Sequence, residues 1–257
     1  MILSKLQSIF PRKTRDRFYS LFPDKIRKRL FLLKDLILYG KLEVRNFLVL
    51  EDKKCAFLVI PKNACTSIKI TIGKTYGIKP DYALEIDRHF KNNLYSILKN
   101  PDRYFKFAFV RNPYARLVSC YNYWISKSYL YDEYIFHIPK NITFAEFVKK
   151  IVKIPEFLAD KHFVSQYSIL YQNGELLVDY IGKIESLEQD WLIVAEKFGF
   201  EHSIVRENIS TPKKSKRDYR LYYTQELADM VYQRYQNDFE LLGYQTAHQE
   251  LLKFLRN

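Results

Sequence analysis

Residues 55–69 have the sequence CAFLVIPKNACTSIK, and this stretch decides the class of fold. Its first six residues, Cys55–Ile60, form a continuous apolar run, which is typical of a strand buried on both faces of a parallel sheet. A short polar loop follows at once, and residues 67–74 have helical character. This succession predicts a strand, a loop and a helix, the unit from which α/β sheets are built.

A second unit of the same kind occupies residues 105–126. Phe105–Val110 is predicted to be a buried strand, and it leads directly into Arg111, Asn112 and Pro113. Asn112 is a favourable N-cap and Pro113 suits the first helical position, so we expect a helix that continues to about residue 126.

The rest of the chain also alternates between strands and helices. Four further elements are predicted: strands at 46–50 and 176–181, a helix opened by a capping box at Ser186–Gln189 and ended by Gly199, and a last helix from Thr224 to Gly243. We therefore predict an α/β fold, with a single P-loop-like domain over residues 46–257 and a central parallel sheet flanked by helices.

Residues 1–45 differ from the rest in charge, with 12 Lys and Arg against four acidic residues. Apolar residues at positions 26, 30, 33 and 37 recur at helical spacing. We expect a basic helical N-terminal arm. It could bind an anionic membrane surface or acceptor, or it could pack on the domain.

The composition limits the classes of function. The 257 residues carry a net charge of +13, which indicates a polyanionic partner, and the 47% hydrophobic share excludes a disordered chain.

Three cysteines without zinc or disulfide spacing suggest a reducing compartment. A membrane span needs about 20 apolar residues, and the sequence has no such run. We expect a cytoplasmic protein that could contact membranes peripherally through its arm.

Both predicted loops are suited to binding phosphate, because helix N-termini present unpaired N–H groups at the positive end of the helix dipole. Lys62 follows the first strand, and Thr66 and Ser67 begin its helix. Arg111 follows the second strand, and Ser119 lies on the next helix. Plain helix capping would explain either loop alone, whereas together they suit a nucleotide with two separated phosphate groups.

Residues 57–69 resemble the 5′-phosphosulfate-binding motif of sulfotransferases, and residues 107–121 resemble their 3′-phosphate-binding motif. The similarity is closest to the carbohydrate (Golgi-type, family 2) branch. Three further segments resemble this branch, at 160–166, which contains a His-x-x-x-Gln pattern, at 178–185 and at 235–244. The resemblance covers roughly residues 53–245.

The resemblance implies a donor, 3′-phosphoadenosine 5′-phosphosulfate (PAPS), and no metal. The sulfuryl group would pass to a hydroxyl or amine of a carbohydrate, with release of 3′,5′-ADP. By the match, the residues around the 5′-phosphosulfate are Lys62, Asn63, Ala64, Cys65, Thr66 and Ser67. Arg111 and Ser119 would hold the 3′-phosphate, and Arg116 either assists them or has a structural role. A later basic loop would close over the nucleotide with Lys213, Lys214 and Ser215.

The resemblance also assigns the catalytic groups. Lys62 would neutralise charge on the departing phosphate, and His89, between the two motifs, would be the general base. Glu85 is the reserve base, and His162 is expected to be structural or to bind substrate.

Other functions fit less of the sequence. A P-loop kinase needs Gly-x-x-x-x-Gly-Lys-[Ser/Thr], and the first loop contains no glycine. A basic nucleic-acid-binding or polyanion-binding protein without catalysis would explain the charge, but no nucleic-acid-binding motif is visible. We expect no nucleic-acid partner. The expected acceptor is a glycan, in particular an anionic polysaccharide.

Overall fold

A computed structural model describes residues 45–78, 86, 90, 97, 100–126, 138–139, 141–205 and 218–257. Its strands are β1 (Phe47–Leu50), β2 (Cys55–Leu58), β3 (Phe105–Val110), β4 (Tyr171–Gln172), β5 (Glu175–Leu176) and β6 (Tyr180–Lys183). Its α-helices are α1 (Cys65–Thr75), α2 (Pro113–Ser126), α3 (Phe144–Ile151), α4 (Gln166–Leu170), α5 (Leu187–Phe198), α6 (Gln225–Arg234), α7 (Gln236–Leu241) and α8 (Ala247–Arg256). The predicted N-terminal arm lies outside the described residues. Among the residues that the structure describes, no helix is long and apolar enough to span a membrane.

The central sheet has the strand order β1-β2-β3-β6. Strands β2, β3 and β6 are parallel to one another, and β1 is antiparallel to β2. The antiparallel edge follows from the connection, because the four residues 51–54 can join two neighbouring strands only as a hairpin. The predicted α/β fold with helices around a mostly parallel sheet is confirmed.

Alternate side chains of β3 pack in two hydrophobic cores, one on each face of the sheet. Phe107 and Phe109 pack on the face that also contains Trp191 of α5, and Ala108 and Val110 pack on the face covered by α2 and α3. All four of these β3 side chains are buried, as expected for a strand with helices on both sides. The unbroken apolar run in the sequence therefore reflects burial on both faces of the sheet.

The strand predicted at 176–181 is displaced in the structure. The parallel strand β6 begins at Tyr180, whereas Glu175–Leu176 pairs with Tyr171–Gln172 in a separate hairpin. The turn of this hairpin contains Asn173 and Gly174, both with positive φ. Asn-Gly at a two-residue turn is a strong hairpin signal, and here it decides the local structure rather than the apolar run that follows it.

The helix predicted after residue 186 begins and ends where expected, but the capping box is wrong. Ser186 makes no capping hydrogen bond. Its hydroxyl instead donates to the carboxylate of Asp190 (2.8 Å), which also accepts the backbone N–H of Lys183 (2.6 Å). The helix ends at Gly199 in the left-handed conformation, as predicted.

The single helix predicted from Thr224 to Gly243 is also wrong. Thr224 does cap a helix, by accepting the N–H of Leu227, but the chain breaks at Tyr235 into α6 and α7. The hydroxyl of Tyr235 donates to the carbonyl of Phe163 (2.6 Å), so tertiary contacts surround the break. A further helix, α8, follows that the sequence pattern did not indicate.

We expect Gly182→Ala to destabilise the protein. A Cβ at this position would lie 2.5 and 2.8 Å from two ring carbons of Phe109 and 3.0 Å from Cβ of Asp190. Such overpacking should lower the free energy of unfolding by about 1–3 kcal/mol, measured by urea denaturation. The control Ile193→Ala removes a side chain that is 52% exposed on α5. An equal effect of the two substitutions would contradict the close approach of β6 to Phe109.

Candidate functional site

The loop between β2 and α1 contains two non-glycine residues in the left-handed region. Lys62 has φ 73° and Ala64 has φ 52°. Such conformations are uncommon for residues with a Cβ, and they concentrate at functional sites, where the surrounding structure enforces them. Left-handed residues within a turn also direct neighbouring N–H groups into a concave surface that binds anions.

The N-terminus of α1 adds further hydrogen-bond donors to this loop. Ala64, the N-cap, makes no side-chain capping bond, and the first turn contains no acidic residue. The bond from Ile68 N–H to the Ala64 carbonyl (3.0 Å) begins the helical ladder. The N–H groups of the three residues before Ile68 therefore have no acceptor within the helix. Together with the helix dipole, they form a site suited to an anion.

The side chain of Gln166 joins the two predicted loops. Its Oε1 accepts hydrogen bonds from Nδ2 of Asn63 (2.7 Å) and from the backbone N–H of Arg111 (2.9 Å). Its Nε2 donates to the carbonyl of Arg111 (2.9 Å). Asn63 also donates to the carbonyl of Phe109 (2.8 Å). One buried amide therefore fixes the loop after β2 relative to the loop after β3.

Asp238 of α7 in turn supports Gln166. Its carboxylate accepts the backbone N–H groups of Gln166 (2.9 Å) and Tyr167 (2.7 Å), and Nε2 of Gln166 (3.3 Å). Burial raises the pKa of Asp238 to about 6, although Arg116 and these N–H donors act in the opposite direction. A carboxyl group from near the end of the chain thus lies behind both anion-binding loops.

Two cationic side chains come together at these loops. Nη1 of Arg111 donates to the carbonyl of Lys62 (3.1 Å), and the ammonium of Lys62 lies 4.0 Å from the centroid of the Tyr123 ring. Burial lowers the pKa of Lys62 and also that of Arg111, where the negative charge of Glu185 is the largest opposing influence. Partly desolvated cations of this kind interact strongly with an anion that enters the site.

The second loop is held from its other side by Glu185. Its carboxylate accepts the backbone N–H of Asn112 (2.8 Å) and the hydroxyl of Tyr244 (2.8 Å). Oδ1 of Asn112 accepts the N–H of Tyr114 (3.0 Å), so the predicted N-cap is confirmed. The second loop is therefore anchored both by its own helix cap and by contacts to two later segments of the chain.

Arg116 has a structural position. Its side chain is buried, and it donates to the carbonyls of Pro61 (3.3 Å), Val164 (2.7 Å) and Lys161 (3.3 Å). Of the two roles considered from the sequence, these bonds support the structural one, although the acceptors are carbonyls rather than an acidic side chain. The guanidinium ties the first loop to the segment that precedes Gln166.

The structure brings most of the predicted site residues to one edge of the sheet. Lys62, Asn63, Ala64 and Arg111 lie on the two joined loops, and the first turn of α1 contains Cys65, Thr66 and Ser67. Ser119 is half-buried on α2, one turn beyond Arg116. Four predicted residues lie outside the described part of the chain and stay predictions: His89, Lys213, Lys214 and Ser215.

Sequence reasoning missed the supporting residues. Gln166, Glu185 and Asp238 lie in the segments 160–166, 178–185 and 235–244 that resemble the family, and the resemblance implies no role for any of them. A usable signal existed for Asp238, because an acidic residue directly before the buried Phe239 interrupts an apolar helical stripe. A buried carboxylate must find hydrogen-bond donors, and that requirement could have identified it.

We expect Gln166→Ala to weaken the fold strongly. The substitution removes the acceptor of one Asn63 N–H and of the Arg111 N–H, and it removes one donor to the Asp238 carboxylate. Each buried group left unpaired costs about 1–3 kcal/mol. The free energy of unfolding should therefore fall by about 3 kcal/mol or more. Gln189→Ala, on the exposed side of α5, is the matched control and should change it by less than about 0.5 kcal/mol. Similar values for both variants would contradict the bridging role.

The titration of Asp238 should appear in the pH dependence of stability. Its folded-state pKa, about 6, is above the value of about 3.9 expected in the unfolded chain. Its favourable contribution is therefore complete below about pH 4 and is lost as the pH rises to about 6. The free energy of unfolding of the wild type minus that of Asp238→Asn should fall by about 3 kcal/mol between these pH values. A difference that rises with pH would contradict the prediction.

The similarity of this chain to known proteins extends well beyond the two loops. The profile of the Sulfotransferase family matches residues 45–245. Carbohydrate sulfotransferase 14 of Danio rerio is 25% identical over 238 residues, which are 80% of this chain and 64% of that protein. Carbohydrate sulfotransferase 11 of Mus musculus is 25% identical over 239 residues, covering 79% of this chain and 68% of that protein.

A protein without an assigned function from Archaeoglobus fulgidus is 32% identical over 105 residues, or 40% of this chain and 74% of its own length. No solved structure matches the chain. The chain thus spans slightly less than two thirds of the Danio rerio relative. Because the family profile covers most of the chain and includes both predicted loops, the chain belongs to the sulfotransferase family.

Proposed function

We propose that the protein transfers a sulfuryl group from PAPS to a hydroxyl or amine of a carbohydrate and releases 3′,5′-ADP. The observation that carries this proposal is the pair of anion-binding loops after β2 and β3, held together by Gln166. Two fixed and separate anion sites suit a nucleotide with phosphate at both its 3′ and 5′ positions. The relatives that are named carbohydrate sulfotransferases support a carbohydrate acceptor.

The donor set of the site fits this nucleotide. Residues 62–67 supply backbone N–H groups, two hydroxyls and an ammonium, which suit the 5′-phosphosulfate. Arg111 and Ser119 would hold the 3′-phosphate, with the guanidinium as the charged donor. The contact from Arg111 to the Lys62 carbonyl keeps the two halves at a fixed spacing.

Lys62 would act in the chemical step. As the sulfuryl group leaves, negative charge grows on the oxygen that linked it to the phosphate. An ammonium held beside this oxygen, in surroundings of low polarity, stabilises the developing charge without having to reorganise. The loop N–H groups would fix the phosphosulfate so that the acceptor oxygen approaches in line with the breaking bond.

The acceptor is proposed to be a glycan, with an anionic polysaccharide favoured by the net charge of +13. Residues 213–215 would close over the nucleotide as part of the same proposal. Their position lies outside the described residues, and so does that of His89, which the family resemblance assigned as the base.

The proposal is tested by calorimetric titration with 3′,5′-ADP, with 5′-AMP and ATP as competing ligands. We expect micromolar binding of 3′,5′-ADP in preference to both. Lys62→Ala and Arg111→Ala should each weaken it by about 10- to 100-fold, the effect of one lost charged hydrogen bond.

Two matched variants control for the loss of positive charge alone. Lys74→Ala at the end of α1 and Arg103→Ala before β3 each remove an exposed cation away from the loops, and both should leave the affinity unchanged. No preference for 3′,5′-ADP over 5′-AMP would contradict the proposal. Salt-sensitive retention on DNA in its place would instead favour a basic polyanion-binding protein.

A further inference from the structure

An aspartate–histidine pair lies close to the phosphosulfate loop. Oδ1 of Asp160 is 2.6 Å from Nδ1 of His162 and also accepts the backbone N–H of His162 (2.9 Å). The two side chains are only 14% and 13% exposed. Two hydrogen bonds to one carboxylate oxygen fix the position of the imidazole ring.

The charge on Asp160 determines which ring nitrogen carries the proton. Burial alone would raise the pKa of Asp160, but the hydrogen bonds and charge of His162 outweigh it, and the pKa is held below its usual value. The carboxylate is therefore ionised at neutral pH and accepts a hydrogen bond from Nδ1–H. In the neutral ring, Nε2 is then the basic nitrogen, the arrangement that a carboxylate imposes on a general-base histidine.

The ring of Tyr123 contacts both His162 of this pair and Lys62. The Tyr123 and His162 rings are stacked, with centroids 5.6 Å apart and an interplanar angle of 23°. The ammonium of Lys62 lies 4.0 Å from the centroid of the same Tyr123 ring. The imidazole and the ammonium proposed to contact the departing oxygen therefore both lie against the Tyr123 ring. In an in-line transfer, the base must also lie within a few ångströms of the sulfuryl group, on the acceptor side.

Several other charged or titratable groups surround His162. Arg116, Tyr235 and Asp238 line a shallow gap in the packing together with it. Arg116 donates to the carbonyl of Lys161, the residue directly before His162. Asp160 and Tyr123 also contact the imidazole, and the carboxylate of Asp160 is hydrogen-bonded to it.

We propose that His162 is the general base of the reaction and that Asp160 is its positioning residue. This inference rests on the proposed function. Nε2 takes the proton of the acceptor O–H or N–H as the acceptor atom forms its bond to sulfur. The bond from sulfur to the 5′-phosphate oxygen breaks, and its electron pair leaves on 3′,5′-ADP. The imidazolium formed is stabilised by the Asp160 carboxylate.

The test uses His162→Asn, because the asparagine amide can still donate to Asp160 but has no basic nitrogen. Turnover is followed as 3′,5′-ADP release from PAPS with unsulfated chondroitin and heparosan as probe acceptors. We expect turnover to fall by about 10²- to 10⁴-fold and the decline of the rate at acid pH to disappear. Affinity for 3′,5′-ADP should stay within about threefold, which separates this step from donor binding.

Two further variants separate a chemical role from a structural one. Asp160→Asn keeps the imidazole but removes the charge that favours its protonation, so the acid decline should shift to lower pH. His202→Asn changes an exposed histidine and should leave the profile intact. If His162→Asn retains the wild-type acid decline, the assignment is overturned, and loss of that decline in His89→Asn would then identify His89 as the base.

A second measurement does not depend on the acceptor. Imidazole ¹⁵N chemical shifts of the protein with bound 3′,5′-ADP report which nitrogen of His162 is protonated. We expect a neutral ring with its proton on Nδ1 above the pH at which the ring titrates. A proton on Nε2 would overturn the inference even where the probe acceptors give no turnover. Absence of 3′,5′-ADP binding would instead refute the proposed function, on which the inference rests.

Discussion

The hydrogen bonds of the Gln166 side chain are the constraint on which the site depends. The loops after β2 and β3 leave the same edge of the sheet, but backbone pairing ends before either loop begins. Gln166 continues the connection beyond the sheet by bonding to Asn63 on one loop and to the backbone of Arg111 on the other. Because the amide is buried, water cannot replace these bonds, and the spacing of the two anion sites is fixed.

This rigidity explains how the first loop keeps an unfavourable conformation. Left-handed φ values at Lys62 and Ala64 each cost free energy, and α1 begins without a side-chain cap. The bonds of Asn63, which lies between these residues, and the bond from Arg116 to the carbonyl of Pro61, just before them, hold the loop in place. The result is a set of N–H groups arranged for an anion before any anion binds, which is the preorganisation that catalysis of group transfer requires.

Local patterns in the sequence predicted the two strand–loop–helix units because burial on both faces produces long apolar runs, as in Phe105–Val110, and because Asn112 is a strong local cap. The same reasoning failed where distant contacts decide the structure. Ser186 bonds to Asp190 instead of closing a capping box, and the apolar stripe through Tyr235 is divided between two helices. The role of Gln166 depends on partners 55 and 103 residues away, which no local spacing encodes.

The central claim is that two loops, held together by Gln166, bind the two phosphate groups of one nucleotide. A crystal structure of the complex with 3′,5′-ADP tests it most directly. We predict the 5′-phosphate at the N–H groups of residues 62–67, the 3′-phosphate at Arg111 and Ser119, and the bonds of Gln166 unchanged. A nucleotide bound elsewhere, or with both phosphates on one loop, would contradict the account.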